Sequence, residues 1–251
     1  MADWNEPSQS RQGFGSVPRT GGVAAGESYD AGLRSYMLSI YNYMASGVLL
    51  TGIVALLFSW GGSESIIGSL YLSGSPLIWV IKFAPLAFIL AMSFGLNRMS
   101  TFTLQLVFWS FAAVMGMSIS TIFLVYTGES IATTFFATAA AFAGLSLWGY
   151  TTKKDISGWG SFLIMGVIGL IIASIINIFL GSETMAFVIS GIGVLIFAGL
   201  TAYDTQRLKN DYQYLRGTEF MGKAIIMGAT SLYLDFVNMF LFLLHFLGSR
   251  E

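Results

Sequence analysis

The sequence predicts an all-α integral membrane protein with seven transmembrane helices. Of its 251 residues, 55% are hydrophobic and only 10% are charged, whereas a soluble domain averages about 25% charged residues. The mean hydropathy is +0.73. Seven separate apolar segments follow one another along the chain, and each is near the roughly 20 residues that a helix needs to cross a bilayer.

Two regions are predicted, a disordered N-terminal tail over residues 1–33 and a transmembrane domain over residues 34–251. The tail is rich in Gly, Ser, Pro and polar residues and lacks the apolar side chains that a buried core requires. The apolar segments of the domain are predicted at about 36–59, 77–96, 104–126, 131–150, 160–180, 185–206 and 224–247. The longest connections are then 61–76 and 207–223, on opposite sides of the membrane.

The distribution of basic residues predicts that the N-terminus lies inside and the C-terminus outside. Ten Lys and Arg residues fall on the side of the N-terminus, against one, Arg250, clearly on the other side. Loops inside the cell carry such an excess. The ten are Arg11, Arg19, Arg34, Arg98, Lys153, Lys154, Arg207, Lys209, Arg216 and Lys223.

The last apolar segment, AIIMGATSLYLDFVNMFLFLLHFL, carries Asp235 near its middle. A carboxylate at the centre of a membrane helix costs on the order of 2.5–3.5 kcal/mol on insertion scales. No Lys or Arg lies within one helical turn of Asp235 to offset that cost. Asp235 is therefore a candidate functional residue, and the competing explanation is a neutral acid hydrogen-bonded to another helix.

A second acid, Asp204, stands near the inner end of the sixth segment. Arg207 follows it at i+3, so an ordinary ion pair at the membrane face explains it equally well. If the first turn of the last segment lies outside the bilayer, Asp235 is roughly 10 Å deep and Asp204 roughly 5 Å deep. Adjacent helices then bring the two carboxyls together. If that segment begins at Lys223, the mismatch in depth is larger and argues against the pair.

Two carboxyls in contact in a poorly hydrated site cannot both ionise cheaply, so they tend to share one proton. A hydrated cation can take the place of that proton, and oxygen ligands suit Ca²⁺. Asp204 and Asp235 are therefore candidate ion and proton sensors, and candidate Ca²⁺ ligands. Arg98, at the inner end of the second segment, is a candidate gating partner that pairs with one of these acids, or else simply a residue that marks the inner face.

Composition also excludes several classes of function. The chain has no Cys, which rules out disulfides, thiolate metal sites and Cys nucleophiles. A net charge of −1 argues against a nucleic-acid partner. The sequences around the two acids, TAYDTQ and LYLDF, do not match the pattern of intramembrane aspartyl proteases. We therefore expect no enzyme, no catalytic residue and no cofactor other than a bound Ca²⁺.

Four stretches carry a resemblance to a known family. GLTAYDTQRLK and SLYLDFVNMFLFLLHFLG closely resemble the C-terminal signature of the Bax inhibitor-1 family. LSLWGYTTKKDISGWGSFLIMGVIGL (145–170) and RSYMLSIYNYMASGVLLTG are similar to its bacterial members. The resemblance covers nearly everything after residue 33.

The resemblance implies a seven-helix fold with the last helix central, and a pH-dependent Ca²⁺ leak across the membrane. It implies that Asp204 and Asp235 form the sensor and that Arg98 matches an Arg that favours the closed state. Some bacterial relatives bind a membrane-anchored AAA protease. Two functions are thus expected as alternatives: a cation leak channel or transporter in the bacterial inner membrane, gated by the acid pair, or a membrane interaction protein that modulates such a protease, with structural acids.

Overall fold

The computed structural model describes the backbone of residues 20–250 and the side chains of residues 30–250. This part of the chain is helical and forms no strand; Tyr126 and Arg250 make an isolated antiparallel bridge. Its eight α-helices are α1 Thr20–Ser59, α2 Ile66–Leu72, α3 Leu77–Gly95, α4 Thr101–Ile119, α5 Gly128–Thr151, α6 Trp159–Leu180, α7 Glu183–Leu215 and α8 Met221–Leu247. A 3₁₀ turn, Ser120–Leu124, continues α4.

The prediction of seven transmembrane helices is confirmed: within the described residues, α1 and α3 to α8 are long and apolar enough to cross a membrane. The short helix α2 lies in the connection predicted at 61–76. The connections 96–100, 152–158 and 216–220 lie at one end of the bundle, which we call the basic end because Arg98, Lys153, Lys154 and Arg216 belong to them.

The last helix, α8, occupies the centre of the bundle, as the resemblance implies. In its most apolar window 61% of the residues are buried, against at most 33% in the other spans. It packs against α1, α4, α5 and α7. Tyr233 of α8 is completely buried, and its hydroxyl is hydrogen-bonded to Thr51 Oγ1 of α1 at 2.6 Å. A helix enclosed on several sides shields any charge in its middle from both lipid and water.

The first helix begins earlier than the sequence predicts. Residues 20–33 of the predicted tail belong to α1, whereas residues 1–19 lie outside the described part of the chain. Near this part of α1, Leu33 is buried in the core, and the ring of Tyr36 lies 5.4 Å from that of Tyr212 on α7. The low hydropathy before residue 34 shows where the apolar stretch begins, whereas the helix itself begins earlier.

The prediction of a long connection over 207–223 is wrong. Helix α7 continues to Leu215, and only residues 216–220 connect it to α8. Arg207 to Leu215 is polar enough to end the apolar pattern, but it contains no Pro or Gly and therefore nothing that breaks a helix. Gly217, with φ of 76°, adopts the left-handed conformation that a tight turn favours.

A close approach between α5 and α7 fixes the position of the candidate site. A Cβ atom on Gly149 would lie 2.4 Å from the carbonyl oxygen of Ala202, so only glycine lets the two backbones come this near. Ala202 is two residues before Asp204 in α7. The contact therefore holds the segment of α7 that carries the acid firmly against α5.

Candidate functional site

The two acids singled out from the sequence lie on neighbouring helices inside the bundle. Asp204 belongs to α7 and Asp235 to α8, and each is only 4% exposed. These two helices form the most extensive helix–helix contact in the described chain. The acids are close enough to interact electrostatically.

Asp204 is held by a small network of charged and polar groups. Its Oδ1 lies 3.1 Å from Nη1 of Arg207 in a salt bridge. Its Oδ2 accepts a hydrogen bond from the hydroxyl of Ser231 on α8. Arg207 Nη2 also donates to Ser231 Oγ, at 3.3 Å. The guanidinium therefore holds the carboxyl from within α7, while Ser231 ties it to the central helix.

Asp235 lies one turn further along α8, at i+4 from Ser231, which corresponds to about 6 Å of helix. Its Oδ2 is buried and has no hydrogen-bond partner among the described residues. None of the hydrogen bonds in that part of the chain joins it directly to the carboxyl of Asp204. A buried oxygen without a partner is costly to maintain, so it is a place where a proton or a cation would be stabilised.

A cavity of about 470 Å³ opens at the basic end and leads to this network. It lies between α1, α3, α7 and α8, and its lining includes Arg207 and Ser231, which shield Asp204. Asp211, one turn beyond Arg207 on α7, lines it too, as does Tyr36 of α1. The hydroxyl of Tyr36 is buried without a hydrogen-bond partner in the described residues. The cavity is thus a largely apolar opening from the basic end that carries a few polar groups next to the first of the two acids.

The structure does not bring Arg98 to the acids. Arg98 is exposed in the turn after α3, and within the described residues the salt bridge of Asp204 is made by Arg207 instead. The end of α3 nevertheless forms a wall of the cavity through Leu96. Lys223 of α8 donates a hydrogen bond to the Leu96 carbonyl at 3.1 Å and so holds this wall in place.

Next to Asp204, Gln206 fastens α7 to the connection 152–158. Its amide nitrogen donates to the Lys154 carbonyl at 2.7 Å, and its amide oxygen accepts from the Ile156 N–H at 2.9 Å. In the same connection the Ser157 N–H donates to Asp155 and holds the pKa of that exposed carboxyl below its usual value. Asp204 therefore sits on a backbone that is fixed on both sides, by Gln206 and by the approach of α5.

Sequence reasoning found the acids, and the ion pair of Asp204 with Arg207 at i+3 is confirmed. Ser231 precedes Asp235 by one turn, which places it on the same face of α8. Its hydrogen bond to Asp204 on another helix was not predicted. Asp211 and Tyr36 carried no signal, because nothing in the sequence places α1 beside the end of α7.

The arrangement offers few ligands to a metal ion. Among the described residues, no group of three or more His, Cys, Asp or Glu side chains is placed to hold a metal ion, whereas Ca²⁺ takes 6–8 oxygen ligands in sites that retain it. The two carboxylates and the Ser231 hydroxyl offer oxygen atoms along a path.

Fold and site together define a seven-helix membrane protein whose central helix pairs a buried acid with a second acid on the preceding helix. The family model described as "Inhibitor of apoptosis-promoting Bax1" matches residues 33–251 of this chain. The chain belongs to the Bax inhibitor-1 family, which confirms the resemblance found in the sequence.

Similar proteins come from several bacteria. The chain is 42% identical to "Inner membrane protein YbhL" of Escherichia coli (strain K12) over 225 residues, covering 88% of this chain and 94% of that protein. It is 46% identical over 226 residues to "Uncharacterized protein RP147" of Rickettsia prowazekii (strain Madrid E), covering 90% and 94%. An "Uncharacterized protein" of Caulobacter vibrioides is 47% identical over 232 residues, covering 89% and 92%.

Proposed function

We propose that this protein is a pH-sensitive leak channel or transporter for Ca²⁺ and related cations, gated by Asp204 and Asp235. One observation carries the proposal: two buried acids on adjacent helices lie behind a cavity that Arg207 and Ser231 help to line, and an oxygen of the deeper acid has no partner in the described residues. Buried acids inside a membrane protein mark ion and proton pathways. This role needs no catalytic residue and no cofactor.

In the structure, the positive charge beside Asp204 is supplied by Arg207. A guanidinium bonded to Asp204 occupies the place that a cation from the cavity would have to take. Protonation of Asp204 removes the charge that attracts Arg207, and Asp211, one turn away on the other side of Arg207, offers the guanidinium a second acceptor. In this scheme the path is closed while the Asp204–Arg207 pair is intact, and it opens when the pair loosens.

Helix α3 is the element that would move. It is poorly buried, with 17% of its most apolar window inside the bundle, and its end walls the cavity. Arg98 stands just beyond that end, so a shift of α3 would change its distance from the acids. We retain Arg98 as a proposed gating partner, in a conformation in which the end of α3 lies closer to the acids than it does in the structure.

The proposed location is the inner membrane of a bacterium, with the N-terminus in the cytoplasm. The printed name of the Escherichia coli relative gives that membrane for that protein. The excess of Lys and Arg at the basic end would place that end, and the cavity mouth, on the cytoplasmic side.

The direct test is Ca²⁺ uptake by liposomes that contain the purified protein, at constant pH. We expect uptake above that of protein-free liposomes and a clear change in Asp235→Asn. Glu183→Gln is the matched control, because Glu183 is an exposed acid in the first turn of α7, remote from the cavity lining, and it should behave as the wild type. Uptake no faster than that of empty liposomes would overturn the proposal.

A membrane interaction protein that modulates a membrane-anchored AAA protease is the alternative. The observation that favours it is the helical extension of α7 beyond the predicted span, on which Tyr214 is 79% exposed. Removal of residues 1–19 together with Tyr214→Ala would discriminate. Loss of protease binding with Ca²⁺ uptake intact separates the two roles, and unchanged binding contradicts the alternative.

A further inference from the structure

A second cavity, which we call the lateral groove, lies between α1 and α5 at the basic end. It holds about 670 Å³. In the described chain the main contacts of α1 and α5 are with other helices, including α7 and α8, and not with each other. The groove opens on the lipid-facing surface, where Leu38 is 50% exposed and Leu147 63% exposed. A membrane lipid can therefore enter it from the side.

The depth of the groove suits a hydrocarbon chain. Its floor contains Tyr41 and Ser146, whose hydroxyls are hydrogen-bonded to each other, and Ser146 is also hydrogen-bonded to Thr205 Oγ1 at 2.9 Å. Hydroxyls that satisfy one another do not require a polar ligand. The side chains of Met37 and Phe142 form apolar parts of the groove wall. From Arg34 at the mouth to Tyr41 the groove runs about 10 Å along α1.

The mouth carries one acid and one base, Asp30 and Arg34, on the same face of α1 at i and i+4. Both are exposed, and among the described side chains no salt bridge joins them. Residues at this spacing have Cβ atoms about 5–6 Å apart. A guanidinium binds a phosphate through paired N–H donors, and a carboxylate accepts hydrogen bonds from a primary ammonium.

We infer that the lateral groove binds a phospholipid whose zwitterionic headgroup carries a phosphate and a primary amine, the phosphatidylethanolamine class. The phosphate is held by Arg34, the ammonium by Asp30, and one acyl chain lies along the groove. The pattern of charge selects this headgroup. A choline headgroup has no N–H to donate to Asp30, and a glycerol headgroup has no cation to place beside it.

Native mass spectrometry of the full chain in detergent micelles tests this, with phosphatidylethanolamine, phosphatidylcholine and phosphatidylglycerol that share the same acyl chains. We expect the ethanolamine lipid to bind about tenfold more tightly than either of the others, the scale of one hydrogen bond to a charged group. Arg34→Gln should weaken it by about the same factor and Arg34→Lys by less. Asp30→Ala, which removes the acceptor, should abolish its preference over choline. These residues are exposed, so the variants should fold.

A matched pair of variants on α5 tests the place of binding. Ala143→Trp fills the groove and should displace the lipid, whereas Ala140→Trp, on an exposed residue of the same helix outside the lining, should leave it bound. Equal affinity for the three headgroups, or equal effects of the two Trp variants, would overturn the proposal. Lipid binding that appears only after residues 1–19 are removed would assign the groove to that segment of the chain instead.

Discussion

Removal of the Arg207 guanidinium should destabilise the protein through Asp204. In the pair, the side chain of Arg207 is 42% exposed and that of Asp204 6%. An exposed pair contributes about 0.2–1 kcal/mol, and breaking a fully buried one costs about 3–5 kcal/mol. We expect Arg207→Gln to lower the free energy of unfolding by about 2 kcal/mol, between these limits, because it leaves a buried carboxylate held mainly by Ser231.

A double-mutant cycle isolates this effect. Asp204→Asn should cost about 1 kcal/mol, since the amide oxygen still accepts from Ser231. The double variant should be about as stable as Asp204→Asn alone, which gives a coupling free energy of about 2 kcal/mol in magnitude. Unfolding in mixed micelles measures the free energies of unfolding of the two single variants and the double variant. Arg98→Gln is the control at the same end of the bundle and should change stability by no more than about 0.5 kcal/mol. Additive effects of the two substitutions would refute the reasoning.

Two further predictions concern the helices that hold the site. Gly149→Ala should lower the free energy of unfolding by about 1–3 kcal/mol, because the new methyl group meets the carbonyl of Ala202. Gly144→Ala on the same helix should leave that free energy unchanged or raise it, because no atom of another element lies within 4 Å of the new methyl group. A cost at Gly144 equal to that at Gly149 would contradict this. Tyr233→Phe should cost about 1 kcal/mol in the same melting experiment, since it removes the hydrogen bond to Thr51; unchanged melting would show that this bond contributes nothing.

The seven spans and the two acids could be predicted from the sequence for a simple reason. A bilayer imposes a length on every apolar segment, and it makes an ionised side chain inside such a segment expensive. Hydropathy therefore reveals the spans, and Asp235 stands out because no other Asp or Glu and no Lys or Arg lies within about three turns on either side of it. Both signals depend only on residues that are close in the sequence, so they can be recognised without knowing which helices are neighbours.

The features that were missed depend on contacts between distant parts of the chain. The start of α1 at Thr20 and the end of α7 at Leu215 both lie in polar stretches, and inside those ends Tyr36 of α1 packs against Tyr212 of α7. Hydropathy reports where lipid ends, not where a helix ends. The lateral groove is likewise formed between two helices whose main contacts are with other helices, which no pattern within either helix can show.

The central claim is that protonation of the acid pair opens the cation path. It is tested most directly by Ca²⁺ uptake into liposomes at about pH 6 and about pH 8, on either side of neutrality, for the wild type, Asp204→Asn and Asp235→Asn. We predict faster uptake at the lower pH in the wild type, because the Asp204–Arg207 pair loosens when the acid is protonated, and no pH dependence in either variant. Uptake by Asp235→Asn that keeps the pH dependence of the wild type would contradict the account.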